Sequence, residues 1–435
     1  MGQTSLNRII TEEDFARALA QECRPFFQLA NTLRRRADPE RARKHLDQMV
    51  IEADMVEAFL DDHGARYNRG FHFFRELVAS IRGFSQAGFA LAHLAYRFDG
   101  YRASLALDPG CEEEFRAALA EASAFVGSAV ETLLEACREE AVLIGVQWDN
   151  NLFPGEGLRA AQVQLSLPRN LGEEALEEDG MQPSEIASKY LEVCSLFNGL
   201  GVRTIEDEAD REAYLSRVCR EEHARVFEAT VHNLQSAYDT HFKDTKLELD
   251  EPRLAQLRGH ASAAFHLLEA VTILAHFVER HEAYQADNTI GGRMNQIVQR
   301  SEVRRITLNV LLLWSQRLIE FGRDNAQALL TSFTNVKQLE LSLPPDLVVH
   351  ARPASLIVGI VNHHGTPVEL EVGGQTANAG SILEVMIAVG SHPDCRTYLF
   401  RGDECPLRDI ESLFTAGLGE GGLESLPENL AYLAT

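Results

Sequence analysis

In the run VVHARPASLIVGIVNHHG, His350 is followed closely by Arg352 and Pro353. Proline at a first helical position with histidine just ahead of it puts an imidazole at a helix start. Unpaired backbone N–H groups and the helix dipole favour an anion there. A neutral imidazole is a good nucleophile near neutral pH, and a phosphorus–nitrogen bond is labile enough to pass its group onward. A phosphoryl group on that ring would be held by the helix amides and by Arg352, whose guanidinium can bond phosphate oxygens in two places. Phosphoryl transfer passes through loose transition states stabilised by position and charge, so the site is expected to need no metal and no cofactor.

The elements that must position these residues follow from the apolar spacing after residue 335. Leu339, Leu341 and Leu343 alternate with Gln338, Glu340 and Ser342, and Val368, Leu370 and Val372 alternate with Glu369 and Glu371. That is the two-residue repeat of half-buried strands. The order reads strand, helix from Pro353, strand, strand at Gln375–Ala379, helix from Ser381, strand at Thr397–Phe400, and a helix near Pro406–Ala416. It predicts a small α+β domain with helices on one face of an antiparallel sheet.

From about 336 to 418 the segment resembles HPr, the histidine-containing phosphocarrier of the bacterial phosphoenolpyruvate-dependent sugar phosphotransferase system. The likeness rests on His350-Ala351-Arg352-Pro353-Ala354, on PVELEVGGQTANAG and on SILEVMIAVG followed by a strand and a last helix. It implies a βαββαβα open-faced sandwich in which His350 accepts a phosphoryl group from a phospho-enzyme I-like donor and Arg352 stabilises it. It further implies that Ser381, opening the second helix, is a regulatory serine for a dedicated kinase, and that Ile382, Leu383 and Met386 form the apolar patch offered to partners. A phosphate on Ser381 would add roughly two negative charges at a helix N-terminus.

The chain departs from the family in places. Val348-Val349 replace a glycine and an apolar residue, and Gly359, Asn362, Gly380 and Glu384 stand where the docking face is often basic. Residues 336–435 carry 5 basic and 13 acidic side chains, so 5 − 13 = −8, and electrostatic steering toward an acidic enzyme I is expected to be weak or reversed.

The whole chain has 435 residues and a formal charge of −24, which disfavours nucleic acid and anionic lipid as partners. Seven scattered cysteines with no CxxC pair fit a reducing cytoplasm. No secretory pattern opens the sequence. No run approaches the roughly 20 uninterrupted apolar residues of a membrane span, so no membrane insertion is expected. Gly2 suits N-myristoylation, but Leu6 stands where serine or threonine is required.

Residues 10 to 333 have helical apolar spacing, with helices expected near 11–36, 39–62, 66–98, 112–145, 184–198, 207–243, 252–285 and 298–333. The expected organisation is multidomain: an all-α region with bundles at 1–145 and 184–333, an acidic Gly-Pro linker or crossover at 146–183, the HPr-like domain at 336–420 and a tail at 421–435. Leu91-Ala92-His93 with Tyr101 recurs as Leu274-Ala275-His276 with Tyr284 at an offset of 276 − 93 = 183, and at that offset 122–140 falls on 305–323, as an internal duplication would give.

Other candidates receive plainer readings. His276, Glu279, His281 and Glu282, with Glu221, Glu222 and His223, lack paired Glu-x-x-His motifs and read as a solvated face rather than a metal site. His363-His364 reads as capping a helix end, and GLGEGG at 417–422 as a flexible tail element. The functional expectation is a phosphocarrier or phosphorelay component that accepts phosphate on His350 and hands it to an acceptor protein or signals through the helices. The alternative is a non-catalytic regulatory or scaffold protein that uses the HPr-like domain for binding.

Overall fold

The computed structural model describes residues 9–35, 39–105, 107–154, 181–282, 290–344 and 347–434. The acidic run 173–179 of the expected linker lies outside these residues, as do the side chains of Tyr101 and Tyr284. The chain is mostly helical, with a small four-stranded antiparallel sheet near its C-terminus.

In chain order the helices are α1 (Glu12–Glu22), α2 (Arg24–Leu33), α3 (Pro39–Asp62), α4 (His72–Leu105), α5 (Pro109–Leu143), α6 (Pro183–Gly199), α7 (Glu208–Val218), α8 (Glu221–His241), α9 (Lys246–Asp250) and α10 (Pro252–Glu282). They continue as α11 (Ile290–Ile297), α12 (Arg300–Arg305), a π-helical stretch Ile306–Leu312, α13 (Leu313–Phe321) and α14 (Arg323–Phe333). Caps hold several of their starts: Thr11 accepts from the Asp14 N–H at 3.1 Å, and Asp108, just ahead of Pro109, accepts from Cys111 at 3.0 Å. The single helix expected over 11–36 is broken at Cys23, because Pro25 lacks an N–H and starts a new helix.

The chain divides into two compact units, but not in consecutive blocks. One draws on Met1–Pro168, Phe197–Gln235 and Arg258–Phe321, the other on Arg169–Leu196, Ser236–Leu257 and Gly322–Thr435. This differs from the consecutive division expected at 145, 183 and 335: most of both helical stretches share the first unit, and α14 joins the sheet in the second. Two helices, Pro109–Leu143 and Pro252–His281, are long and apolar enough to cross a membrane by length and composition. The apolar window of the second is 72% buried, as in the core helix of a packed bundle.

Burial repeats along the helical sequence. Adding 183 to Leu77, Ile81, Phe84, Leu91 and Leu94 of α4 gives His260, Ala264, Leu267, Leu274 and Phe277 of α10, all buried. For α3 the shift is 182: His45, Met49 and Val56 map onto Phe227, Val231 and Tyr238 of α8, and Leu60 onto Phe242 just past its end, again all buried. The continuous α5 falls on a broken series, α11 to α13.

Within the second unit the strands are β1 (Val336–Ser342), β2 (Val368–Val372), β3 (Gln375–Asn378) and β4 (Thr397–Asp403), in the order β1-β4-β2-β3. Leu339 lies opposite Phe400, Leu341 opposite Tyr398 and Leu370 opposite Phe400. The connecting helices are α15 (Ala351–His364), α16 (Ile382–Ser391) and α17 (Glu404–Thr415). Val368, Leu370 and Val372 turn inward, as their alternation dictates, and join Ile357, Ile360, Val385, Phe400, Ile410 and Leu413 in one core.

Candidate functional site

Val349 is buried in that core, and Pro353 and Ala354 are buried on the other side of His350, so the backbone at His350 is anchored from both directions. The loop before it is braced by Arg396, whose guanidinium donates to the Leu347 carbonyl at 2.7 Å. His350 is the N-cap of α15, with φ −106° and ψ −166°. Its Nδ1 accepts from the Arg352 N–H at 3.3 Å, and its Nε2 lies 2.7 Å from Oε1 of Glu420. The ring stays 53% exposed. The Arg352 guanidinium is also exposed, with no side-chain partner among the described residues.

Glu420 was not among the sequence candidates. It is delivered by three successive residues in the left-handed region: Gly417 at φ 70°, Leu418 at φ 57° and Gly419 at φ 72°. Leu418 accepts that conformation while fully buried in the core. At Gly419 a Cβ would lie 2.5 Å from Leu356 Cδ1, so the turn packs directly on α15. GLGEGG is therefore a tight turn seated on the core and not the flexible element expected. Its glycine spacing was the available signal, since glycine is the residue that adopts such angles without penalty.

The expected tail is packed as well. Leu430 is fully buried, the Tyr432 ring stacks on His363 at 3.6 Å, and Asp409 accepts from His364 Nε2 at 2.9 Å, Asn429 Nδ2 at 2.8 Å and Tyr432 OH at 2.6 Å. The two histidines thus serve a carboxylate and a ring, while the helix end is closed by Gly365 in the left-handed region, donating to the Val361 carbonyl at 3.0 Å. This corrects their reading as a helix cap.

Ser381 is the N-cap of α16, accepting from the Glu384 N–H at 3.4 Å, and Glu384 Oε2 in turn accepts from the Asn378 N–H at 2.9 Å. Ile382 and Leu383 are exposed, Leu383 by 68%, and Met386 is half-buried; Ile387, missed in the sequence, is exposed beside them. The structure brings His350, the Arg352 amide and Glu420 together. No hydrogen bond or ion pair among the described residues joins Ser381 to them.

His276 Nδ1 pairs with Glu221 at 2.5 Å, and Glu279 accepts from the Glu221 N–H at 2.9 Å, while His281 is buried and turned to Ser80. Among the described residues no group of three or more such side chains is gathered to hold a metal ion. All seven cysteines are free. In comparisons with known proteins, no family model, curated protein or solved structure matches the chain.

Proposed function

We propose that the C-terminal part of the chain is an HPr-like phosphocarrier and that His350 is its phosphoryl acceptor. The reading is supported by the β–α–β–β–α–β–α succession with strand order β1-β4-β2-β3, which accords with the resemblance noted above. The observation that carries it is the His350 ring itself, half-exposed at a helix start, with Nδ1 toward a backbone donor and Nε2 toward a carboxylate. A carboxylate only accepts, so Nε2 carries the hydrogen and Nδ1 keeps its lone pair.

In the proposed step that lone pair attacks the phosphorus of a phosphohistidine on the donor protein. The donor's phosphorus–nitrogen bond breaks, and its electron pair returns to the donor imidazole. The Nε2 hydrogen stays with His350, where Glu420 balances the positive charge that develops on the ring. The Arg352 amide, freed from Nδ1, and the Arg352 guanidinium then face the phosphoryl oxygens. Ile382, Leu383 and Met386 are the proposed docking patch, and Ser381 the proposed kinase target.

The test is incubation with phosphoenolpyruvate and an enzyme I. Acid-labile label on the intact chain, absent from His350→Ala, is the expected result. An unlabelled chain that still binds its partners would overturn carriage in favour of a pure binding role.

A further inference from the structure

We propose that the groove between α3, α4 and α5 binds a medium-chain carboxylate, its head on Arg43 and its chain along the small residues of α4 and α5. The groove encloses about 440 Å³ and is lined by Leu46, Gly88, Ala92, Ala95, Val126 and Val130, among others, with Arg43 the one charged residue in the lining among the described residues. That volume is within the range of small-molecule sites.

Two independent features point to an amphipathic anion. The first is the state of the cation. Arg43 donates through Nη1 to His93 Nδ1 at 3.1 Å and lies over the Tyr96 ring at 4.6 Å, but its Nε is buried without a partner, and no carboxylate pairs with it among the described residues. Burial, then His266 and Arg43 itself, hold the His93 imidazole below its usual range, so it accepts from Arg43 as a neutral ring. The corresponding position in the repeating burial pattern, at 43 + 182, is Arg225, and there Glu221 takes both Nε at 3.0 Å and Nη2 at 2.7 Å. A half-buried guanidinium with no carboxylate on it among the described residues is costly, and an incoming carboxylate supplies what Glu221 supplies elsewhere.

The second feature is the hollow itself. Adding 183 to Gly88 and Ala95 gives Val271 and Val278, both fully buried in α10. At Ala95 the fold carries only a methyl group where Val278 stands in α10, and that missing side-chain volume opens into the groove. At Gly88 Leu46 and Val126 close in instead, a Cβ there lying 3.3 Å from Val126 Cγ1 and 3.4 Å from Leu46 Cδ1. A single guanidinium balances one negative charge, which fits a carboxylate better than a dianionic phosphate monoester. The proposal is independent of His350.

Calorimetric titration of the full chain with decanoate, below its micellar concentration, tests it. Saturable binding is expected, weakened about tenfold or more in Arg43→Gln and in Ala95→Val, with decylamine not bound. Melting temperatures monitor folding; should Ala95→Val melt early, Arg43→Gln alone carries the test. No saturable decanoate binding, unchanged affinity in Arg43→Gln, or much tighter binding of decyl phosphate would each overturn the assignment.

Discussion

His350 Nε2 and Glu420 Oε1 lie 2.7 Å apart, joining the start of α15 to a turn some seventy residues later in the chain. The pair fixes which ring nitrogen carries the hydrogen and holds the other toward the Arg352 amide. Removing the carboxylate lets the ring turn and lets either nitrogen be protonated. On the proposed phosphocarrier reading, Glu420→Ala is expected to slow phosphoryl uptake on His350 by about tenfold, the low end for losing a group that orients an imidazole. Quenched labelling over time, with circular dichroism to confirm an unchanged fold, measures it; a wild-type rate removes Glu420 from the site.

Gly419 is the narrowest point of the turn that delivers Glu420. An alanine there must adopt φ 72° and also push its Cβ against Leu356 Cδ1. Gly419→Ala is expected to cost about 2 kcal/mol, strain and overpacking together. Gly374, at φ 85° with nothing within 4 Å of a Cβ, separates the two contributions: Gly374→Ala carries strain alone, about 1 kcal/mol. Equal losses in urea unfolding would show that the contact with Leu356 is relieved without cost.

What could be read from sequence was whatever depends on local period and on a short motif. The alternation of Val368, Leu370 and Val372 gave a strand with that face buried, and Pro353 placed His350 at a helix start. Contacts between residues distant in sequence were not legible. Nothing local marks Glu420 as the partner of His350, or Asp409 as that of His364, because such pairs are set by how the last segment packs on α15 and α17. Glycines were read as flexibility where the fold uses them for left-handed turns. The helix expected over 207–243 is broken at Cys219, where no proline or glycine announces a break.

The Asp409 cluster makes the second unit sensitive to acid. Burial pushes the Asp409 carboxyl up, but bonds from Tyr432, His364 and Asn429 outweigh it and hold the group below its usual value. A carboxyl depressed by folding contributes stability that is complete above its unfolded value, about 3.9, and is lost as pH falls from there through the folded value. Tyr432→Phe removes a donor to that carboxylate and is expected to cost about 2 kcal/mol at neutral pH. The loss should shrink in acid, where the wild type also forfeits the charged acceptor. Denaturant midpoints at neutral pH and at about pH 3 compare the two, and a deficit independent of pH would mean the hydroxyl contributes packing alone.

In the first unit buried imidazoles destabilise the fold as pH drops, while Glu76, whose carboxyl burial pushes up to about 7, acts in the opposite direction. His260 is 2% exposed, its Nδ1 has no hydrogen-bond partner, and burial pushes its pKa down to about 4. His281 is likewise pushed down to about 4, by burial first and then by Arg300 and His276. A histidine whose folded value lies below its unfolded value of about 6.5 binds fewer protons when folded, so stability falls as pH drops through that window. Each ring can account for roughly 3 kcal/mol over the full span. His260→Leu removes one titrating group and an unpartnered polar atom at similar volume. The acid destabilisation between about pH 7.5 and about pH 5, read as a fall in melting temperature, should then be smaller in the variant, with the contributions of His281, His93 and Glu76 unchanged. A variant as acid-sensitive as the wild type would mean that the response arises elsewhere than at His260.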